Sequence, residues 1–175
     1  MMVNVLLTGS PGVGKTTVVR KVISRLPGSV GGFYTEEMLE SGKRVGFRIR
    51  TVDGMAGVLA HKKSHGTYFV EDDRTEYRIN LRDLEDIGVK SIIDAVESDD
   101  VVVIDEIGRM ELFSDHFRDA VSHAFDSGKT VFASISKYGG SFEEELKMRE
   151  GNRVFEVTAD NRDSLPDVVL QALKG

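Results

Sequence analysis

A glycine-rich loop between an apolar run and a helical pattern constrains this chain more than any other feature. Residues 9–16 read Gly-Ser-Pro-Gly-Val-Gly-Lys-Thr and match G-x-x-x-x-G-K-[ST] in full. The loop follows the apolar run Val3–Leu7, which predicts a buried strand, and it precedes apolar residues at helical spacing that continue to Leu26. A strand, a glycine loop and a helix in this order are typical of a phosphate-binding loop at the start of an α/β fold.

Each part of the loop has a chemical role in that interpretation. Glycines let successive backbone N–H groups turn inward around phosphate oxygens, and the helix N-terminus adds partial positive charge. Lys15 is expected to reach the β- and γ-phosphates, and the Thr16 hydroxyl to ligate Mg²⁺. The alternative is a tight strand-to-helix turn without a ligand. The predicted nucleotide contacts in this loop are Gly9, Ser10, Pro11, Gly12, Val13, Gly14, Lys15, Thr16 and Thr17.

A second magnesium ligand is expected at the end of a buried strand. The run Val101–Ile104 is apolar and short enough for a central strand, and Asp105 follows it directly. We predict that Asp105 binds Mg²⁺ together with Thr16, the alternative being a simple strand-end cap. Glu106 comes next, and we predict that it orients or deprotonates the attacking water. A supporting role around the magnesium ion is the alternative for Glu106.

The remaining chain alternates strand and helix patterns. The interval from Lys15 to Asp105 is far longer than the roughly 30 residues that a strand–helix–strand unit needs. Residues 33–80 in this interval contain several short strand patterns, which predict an antiparallel β-meander. We therefore expect a single domain over residues 1–175 with an α/β, three-layer P-loop NTPase fold. Its central sheet would be mostly parallel, with the β-meander as an insert.

Four segments together resemble a known family. They read GSPGVGKTT at 9–17, GFYTEE at 32–37, DEIGRMEL at 105–112 and TADNRDSL at 158–165. In these segments the chain resembles the small nucleoside-triphosphatase family of thermophiles, which includes the human cancer-related nucleoside-triphosphatase. The resemblance covers essentially the whole chain. It implies slow, magnesium-dependent hydrolysis of ATP, GTP and other triphosphates, CTP and UTP included, to the diphosphate and phosphate, with little base selectivity.

The same resemblance implies nucleotide contacts beyond the loop. These lie at Val102, Val103, Ile104, Asp105, Glu106, Ile107, Gly108 and Arg109. The family often has Lys where Arg109 stands, so a cation is kept at that position. We predict that Arg109 stabilises the charge that develops on the γ-phosphate, although solvation at the surface is the alternative.

Two further segments are candidates for contacts with the nucleotide. Asn161 and Arg162 follow the strand pattern at 154–157, where P-loop folds often place a base-contacting loop. The amide offers a donor and an acceptor, and the guanidinium can stack on a base. A cap for the last helix is the alternative. Residues 138–153, with glycines near their start, form a candidate lid.

A basic segment at residues 43–63 is the least explained part of the sequence, with six basic residues against Asp53. Arg44, Arg48 and Arg50 alternate along a predicted strand, so we expect them to share one face. That face is a candidate site for an acceptor phosphate or for RNA, and a solvated sheet surface is the alternative.

Charge and cysteine content limit the partners. The chain carries 23 Lys and Arg against 29 Asp and Glu, a net charge of −6, which argues against non-specific binding to nucleic acid or anionic lipid. It has no cysteine, which excludes thiolate chemistry, and Met1–Leu7 lacks the features of a signal peptide. We expect a cytoplasmic monomer without a membrane span.

The function predicted from these features is nucleoside-triphosphate hydrolysis. Two alternatives remain open: a kinase that acts on a nucleotide, a nucleoside or another small molecule, and a nucleotide-gated module that binds RNA or a protein.

Overall fold

The part of the chain that the structure describes is built on one nine-stranded sheet. The computed structural model describes residues 2–71 and 75–175, so Met1 and residues 72–74 of the predicted ranges 1–175 and 33–80 lie outside the described residues. The sheet order is β5-β6-β4-β3-β2-β7-β8-β1-β9. The strands are β1 (Asn4–Thr8), β2 (Val30–Glu40), β3 (Lys43–Thr51), β4 (Ala56–His61), β5 (Thr67–Glu71), β6 (Thr75–Ile79), β7 (Val101–Ile107), β8 (Thr130–Ile135) and β9 (Asn152–Glu156).

Strand β2 joins a parallel region to an antiparallel one. Its first residues, 30–33, pair in parallel with β7, and residues 33–40 pair antiparallel with β3. The parallel region continues through β8 and β1 to β9. The predicted α/β fold with a parallel central sheet and an antiparallel meander is therefore confirmed. The meander extends the central sheet itself, and it includes β5, which the sequence patterns did not predict.

Helices cover both faces of the sheet. They are α1 (Lys15–Ile23), α2 (Leu81–Asp83), α3 (Lys90–Ser98), α4 (Asp115–Asp126), α5 (Ser141–Met148) and α6 (Leu165–Leu173). One core lies between the sheet and α1 and α6, with Val19, Phe132 and Val169 fully buried. The other packs the sheet against α3 and α4 through Ile92 and Phe117. These cores give the three layers that the sequence predicts.

The helical segment after β6 has a π-helical turn, which is wider than an α-helical one, in its middle. A π-helical segment, Leu84–Val89, connects α2 to α3. Gly88 lies in this segment, and a Cβ atom there would come within 2.7 Å of the Ile49 side chain. The glycine therefore lets the helix approach the sheet closely. In the described ranges no helix combines the length and the apolar character that a membrane span requires.

A β-bulge changes the predicted face of Arg44. The register between β2 and β3 moves from Met38 opposite Gly46 to Leu39 opposite Arg44, which leaves Val45 without a partner in the ladder. The guanidinium of Arg44 consequently lies over the ring of Phe47, at 5.0 Å from its centroid. The prediction that Arg44 shares a face with Arg48 and Arg50 is wrong, because an extra residue reverses the alternation of side chains.

Candidate functional site

The glycine loop connects β1 to α1 in a conformation that depends on its glycines. Gly12 and Gly14 have φ angles of 77° and 114°, a region that side-chain-bearing residues avoid. At Gly9 a Cβ atom would lie 2.7 Å from the carbonyl oxygen of Val157. The loop thus curls at the carboxyl edge of the sheet, and α1 begins at Lys15.

Lys15 turns back toward its own loop. Its Nζ donates a hydrogen bond to the Gly9 carbonyl at 2.7 Å, and the side chain is only 9% exposed. The same Nζ lies 3.5 Å from Oε2 of Glu106. The sequence-predicted lysine and glutamate therefore meet at the mouth of the loop.

Asp105 lies at the same point, enclosed by hydroxyl groups. The Thr16 Oγ1 donates to its Oδ2 at 2.9 Å, and the Ser134 hydroxyl donates to its Oδ1. The Thr35 backbone N–H also points at Oδ2, at 3.5 Å. Burial raises the pKa of Asp105, which is 1% exposed, and the hydroxyl hydrogen bonds oppose that shift. Thr16 and Asp105 bring together hard oxygen atoms of the kind that Mg²⁺ prefers.

Glu106 faces the open side of the site. Its side chain is 30% exposed. Burial raises the pKa of its carboxyl group, while the neighbouring Lys15 ammonium and a hydrogen bond with Ser136 favour the charged form. A carboxylate held between a lysine and a serine hydroxyl, with one side open, can orient a water molecule.

Glu111 is a third carboxyl group of this site, and the sequence reasoning missed it. It lies in a single 3₁₀ turn, Glu111–Phe113, and is only 3% exposed. Burial and the nearby charge of Glu106 raise its pKa well above the usual value, against backbone hydrogen bonds from Gly108 and its own N–H. A Cβ atom on Gly108 would lie 2.8 Å from Oε1 of Glu106 and 3.1 Å from Oε2 of Glu111. The sequence signal that could have indicated this buried glutamate is its position between the apolar residues Met110 and Leu112.

These groups line one cleft of about 760 Å³. The cleft extends from the glycine loop across the carboxyl end of β7 to the antiparallel strands. Its lining includes Lys15, Thr16, Glu36, Glu37, Arg44, Phe47, Leu59, Phe69, Asp105, Glu106, Arg109, Met110, Glu111, Ser136 and Lys137. The predicted cation Arg109 is part of this wall, with its guanidinium 5.3 Å from the ring centroid of Phe69.

Several predicted contact residues do not reach the cleft. The side chains of Val102, Val103, Ile104 and Ile107 have no exposed surface and belong to the two cores. Strand β7 continues to Ile107 instead of ending at Ile104. The side chains before and after Asp105 therefore point alternately to the two faces of the sheet, where they pack in the cores. These four side chains therefore have no surface to offer a nucleotide, and the predicted contacts at these residues would have to come from their backbone.

Asn161 and Arg162 differ in their placement. The Asn161 amide donates to the Glu156 carbonyl and accepts from the Thr158 N–H, both at 2.8 Å, so both ends are engaged in the loop after β9. Arg162 reaches over the glycine loop, where its Nη1 donates to the Val13 carbonyl at 3.3 Å. The structure thus favours the loop-cap interpretation for Asn161 and places Arg162 at the loop.

The segment at residues 138–153 contains α5 and the start of β9. Lys147 donates to the Lys137 carbonyl at 3.0 Å, and Arg149 bonds to Asp126 at 2.6 Å. Lys137 lines the cleft and lies 2.8 Å from Glu156. A lid role for this segment stays a prediction.

A strand, a phosphate loop and a helix, with an acidic strand end beside the loop lysine, define the P-loop class of nucleoside-triphosphatases. A family model described as NTPase matches residues 4–170. The chain is 48% identical over 170 residues to nucleoside-triphosphatase THEP1 of Thermotoga sp. (strain RQ2), covering 97% of this chain and 95% of that protein. It is 40% identical over 179 residues to the mouse cancer-related nucleoside-triphosphatase homolog, covering 95% and 94%.

Solved structures agree with this class. The crystal structure of THEP1 from the hyperthermophile Aquifex aeolicus superimposes with a TM-score of 0.88 at 33% identity, covering 98% of this chain and 99% of that one. The solution structure of a human cancer-related nucleoside triphosphatase gives 0.77 at 34% identity, covering 98% and 97%. The chain belongs to this NTPase family and is a nucleoside-triphosphatase.

Proposed function

We propose that the protein hydrolyses ATP, GTP, CTP and UTP to the nucleoside diphosphate and phosphate, with Mg²⁺ and with low base selectivity. The observation that carries this proposal is the position of Lys15 Nζ, 2.7 Å from the Gly9 carbonyl and 3.5 Å from the Glu106 carboxylate. A phosphate group in the loop would therefore meet the lysine and the glutamate together.

The residues present fit a magnesium ion. The Thr16 hydroxyl and the Asp105 carboxylate already touch at 2.9 Å, and Asp105 has little other solvent access. Small oxygen ligands from one hydroxyl and one carboxylate, completed by phosphate oxygens and water, match the usual magnesium site of P-loop proteins. When bound there, the ion would neutralise charge on the β- and γ-phosphates.

The protein groups perform the remaining tasks of an in-line displacement. The loop N–H groups and Lys15 hold the phosphate oxygens and stabilise the charge that spreads over them. Glu106 orients a water molecule and accepts its proton as the bond to the γ-phosphorus forms. We expect slow turnover, since the guanidinium of Arg109 packs on Phe69 and a cation is worth roughly 10³ to 10⁵ in rate only when it contacts the transferring phosphate.

Low base selectivity is supported by the residues at the glycine loop. Asn161 has both ends of its amide engaged within its own loop. This leaves the guanidinium of Arg162 as a stacking surface, and stacking accepts any base because every base has a π-face. We also propose that the protein acts in the cytoplasm as a monomer.

A panel assay tests the proposal. ATP, GTP, CTP and UTP are each incubated with the protein, with Mg²⁺ and with a chelator, and free phosphate is measured. We expect phosphate release from all four within about tenfold of one another, and none with the chelator. Lys15→Ala is the matched negative variant. Release by Lys15→Ala at the rate of the unchanged protein would refute the phosphate site, and a single accepted base would refute the low selectivity.

A further inference from the structure

Lys137 is a cation of the cleft that has no task in the hydrolysis derived above. It comes directly after Ser136, just past the end of β8, and it lines the cleft together with Lys15 and Glu106. Strand β8 lies between β7 and β1 in the sheet, so its carboxyl end is flanked by Glu106 on one side and by the start of the glycine loop on the other. Lys137 therefore starts between the group proposed to orient the water and the loop proposed to hold the phosphates.

The backbone around Lys137 is fixed from two sides. The Ser136 N–H donates to the Ile107 carbonyl of β7 at 3.1 Å, and the Lys147 Nζ of α5 donates to the Lys137 carbonyl at 3.0 Å. The Ser136 side chain also forms a hydrogen bond with Glu106. The flexible four-carbon stem of Lys137 then supplies the movement of its ammonium group, and the fold sets the point from which that group reaches.

The ammonium group of Lys137 is paired with an exposed carboxylate on the far side of β1. Its Nζ lies 2.8 Å from Oε1 of Glu156 at the end of β9, and the two side chains are 31% and 51% exposed. Glu156 lies opposite Thr8 in the ladder of β1 and β9, and Thr8 directly precedes Gly9. The lysine side chain therefore extends from β8 to β9 across the end of β1, where the glycine loop begins.

The ion pair with Glu156 does not hold the lysine in one place. Pairs between exposed side chains contribute little to stability, since water weakens the attraction between the two charges. A phosphate group in the loop carries more negative charge than one carboxylate, and it would compete with Glu156 for the ammonium group. The predicted cation Arg109, by contrast, stacks on Phe69. Lys137 is therefore the better placed of the two to reach a bound phosphate.

We propose that Lys137 is a second catalytic lysine, which leaves Glu156 when a triphosphate binds and contacts the transferring γ-phosphoryl group. This inference rests on the proposed function, since it concerns the same bound triphosphate and the same attack by water. Lys137 stabilises the negative charge on the γ-phosphate oxygens as the bond to the leaving diphosphate breaks. It takes up no proton and forms no covalent bond. A nucleoside diphosphate lacks the group that Lys137 contacts, so Lys137 acts on the substrate and not on the product.

Removal of the ammonium group tests this role. Lys137→Met keeps a flexible side chain and removes the charge. With Mg²⁺ and saturating triphosphate, we expect kcat for phosphate release to fall by roughly 10² to 10³, the usual cost of one lost charge-stabilising donor. The Kd for the nucleoside diphosphate, measured by calorimetry, should stay the same. Lys137→Arg should recover part of the lost kcat, because it restores a positive charge.

Lys90→Met is the matched control. Lys90 also forms an exposed ion pair, with Asp94 at 2.6 Å on α3, and it lies outside the cleft lining. Its kcat should be that of the unchanged protein. Equal kcat values for Lys137→Met and Lys90→Met would overturn the proposal. A loss of diphosphate affinity as large as the loss of kcat would also overturn it, since Lys137 would then support the loop itself. Absence of phosphate release by the unchanged protein would instead contradict the proposed hydrolase function.

The ion-pair partner of Lys137 gives a second test. Glu156→Gln removes the carboxylate that competes for the ammonium group and keeps the Glu156 carbonyl that accepts from the Asn161 amide. We expect its kcat to equal that of the unchanged protein or to exceed it by up to about fivefold, the small effect of an exposed ion pair. A fall in kcat as large as that of Lys137→Met would show that the ion pair itself maintains the cleft, and would overturn the proposed contact with the phosphate.

Discussion

At the scale of single residues, the contact between Lys15 and Glu106 decides what the site can do. The two side chains come from different elements, one from the start of α1 and one from β7. In the proposed reaction, the lysine offers a positive charge to the phosphate, and the glutamate offers an oxygen to water. Their 3.5 Å separation means that a bound phosphate oxygen would have to enter between them or beside them.

Substitution of Glu106 separates binding from catalysis. We expect Glu106→Gln to retain triphosphate binding, since the loop is intact, and to lose turnover by roughly 10² to 10⁴, the usual contribution of a general base. Phosphate release and nucleotide titration measure the two effects. Glu97→Gln, on the exposed side of α3, is the control and should turn over normally. Undiminished turnover by Glu106→Gln would move the water-activating group elsewhere.

Glu111 gives the stability of the protein a pH dependence. Its pKa is raised above 4.5 in the folded protein, so between 4.5 and its folded pKa the folded chain keeps a proton that the unfolded chain releases. Stability contributed by this group is complete below pH about 4.5 and falls as pH rises. We expect Glu111→Gln, which cannot ionise, to gain stability relative to the unchanged protein as pH rises through this range.

Urea unfolding at a series of pH values measures that difference. Glu97→Gln is again the control, since its side chain is exposed on α3. Parallel stability curves for Glu111→Gln and the unchanged protein would show that the buried carboxyl group does not titrate with folding.

At the scale of elements, the junction of β2 with β7 joins the two regions of the sheet. Gly32 has a φ angle of 100° and pairs with Val103, and a Cβ atom there would overlap the Val103 carbonyl oxygen. The backbones of β2 and β7 can approach only because this residue has no side chain. The same approach brings the Thr35 N–H toward Asp105.

Gly32→Ala should therefore weaken the sheet at its junction. We expect it to lower the free energy of unfolding by about 1–3 kcal/mol more than Gly42→Ala does. Gly42 is the matched control, because its φ angle of 75° is also positive but nothing lies within 4 Å of its Cβ position. Urea unfolding of the two variants gives the comparison. Equal losses would mean that backbone strain, and not the overlap with Val103, explains the glycine.

At the scale of the whole molecule, the ligand-binding cleft draws residues from the loop, the parallel strands and the meander. A ligand that binds only this assembled form stabilises it by about 2.7 kcal/mol at a hundred times its Kd. For a chain of this size we expect a triphosphate with Mg²⁺ to raise the Tm by roughly 5–10 °C. Thermal melts with and without a chelator measure the shift.

The same melts contain their own control. Lys15→Ala should melt without a nucleotide-dependent shift, because the lysine is the main charged contact of the phosphate site. An equal shift for Lys15→Ala, or one that survives the chelator, would show that the triphosphate binds elsewhere or without the metal.

Local sequence was enough to predict the elements and side chains that meet at the candidate phosphate site. The glycine loop, Lys15, Thr16 and Asp105 lie within short segments whose spacing and apolar periodicity set both the elements and the side chains at their ends. Helix α4 and its cap were likewise predictable, since Ser114 precedes the helix and accepts the Phe117 N–H. These features depend on neighbours only a few residues apart.

By itself, therefore, the sequence determined the class of fold, the phosphate loop and the acidic end of β7. The tertiary structure alone decided that the meander continues the central sheet, that a bulge at Val45 turns Arg44 toward Phe47, and that Glu111 is buried beside Glu106. Strand register and burial depend on contacts between segments far apart in the chain, and a local pattern carries no record of which segment lies opposite. For the same reason, the part of the cleft that is lined by strands β3 to β5 and the turn after β7 is visible only in the folded chain.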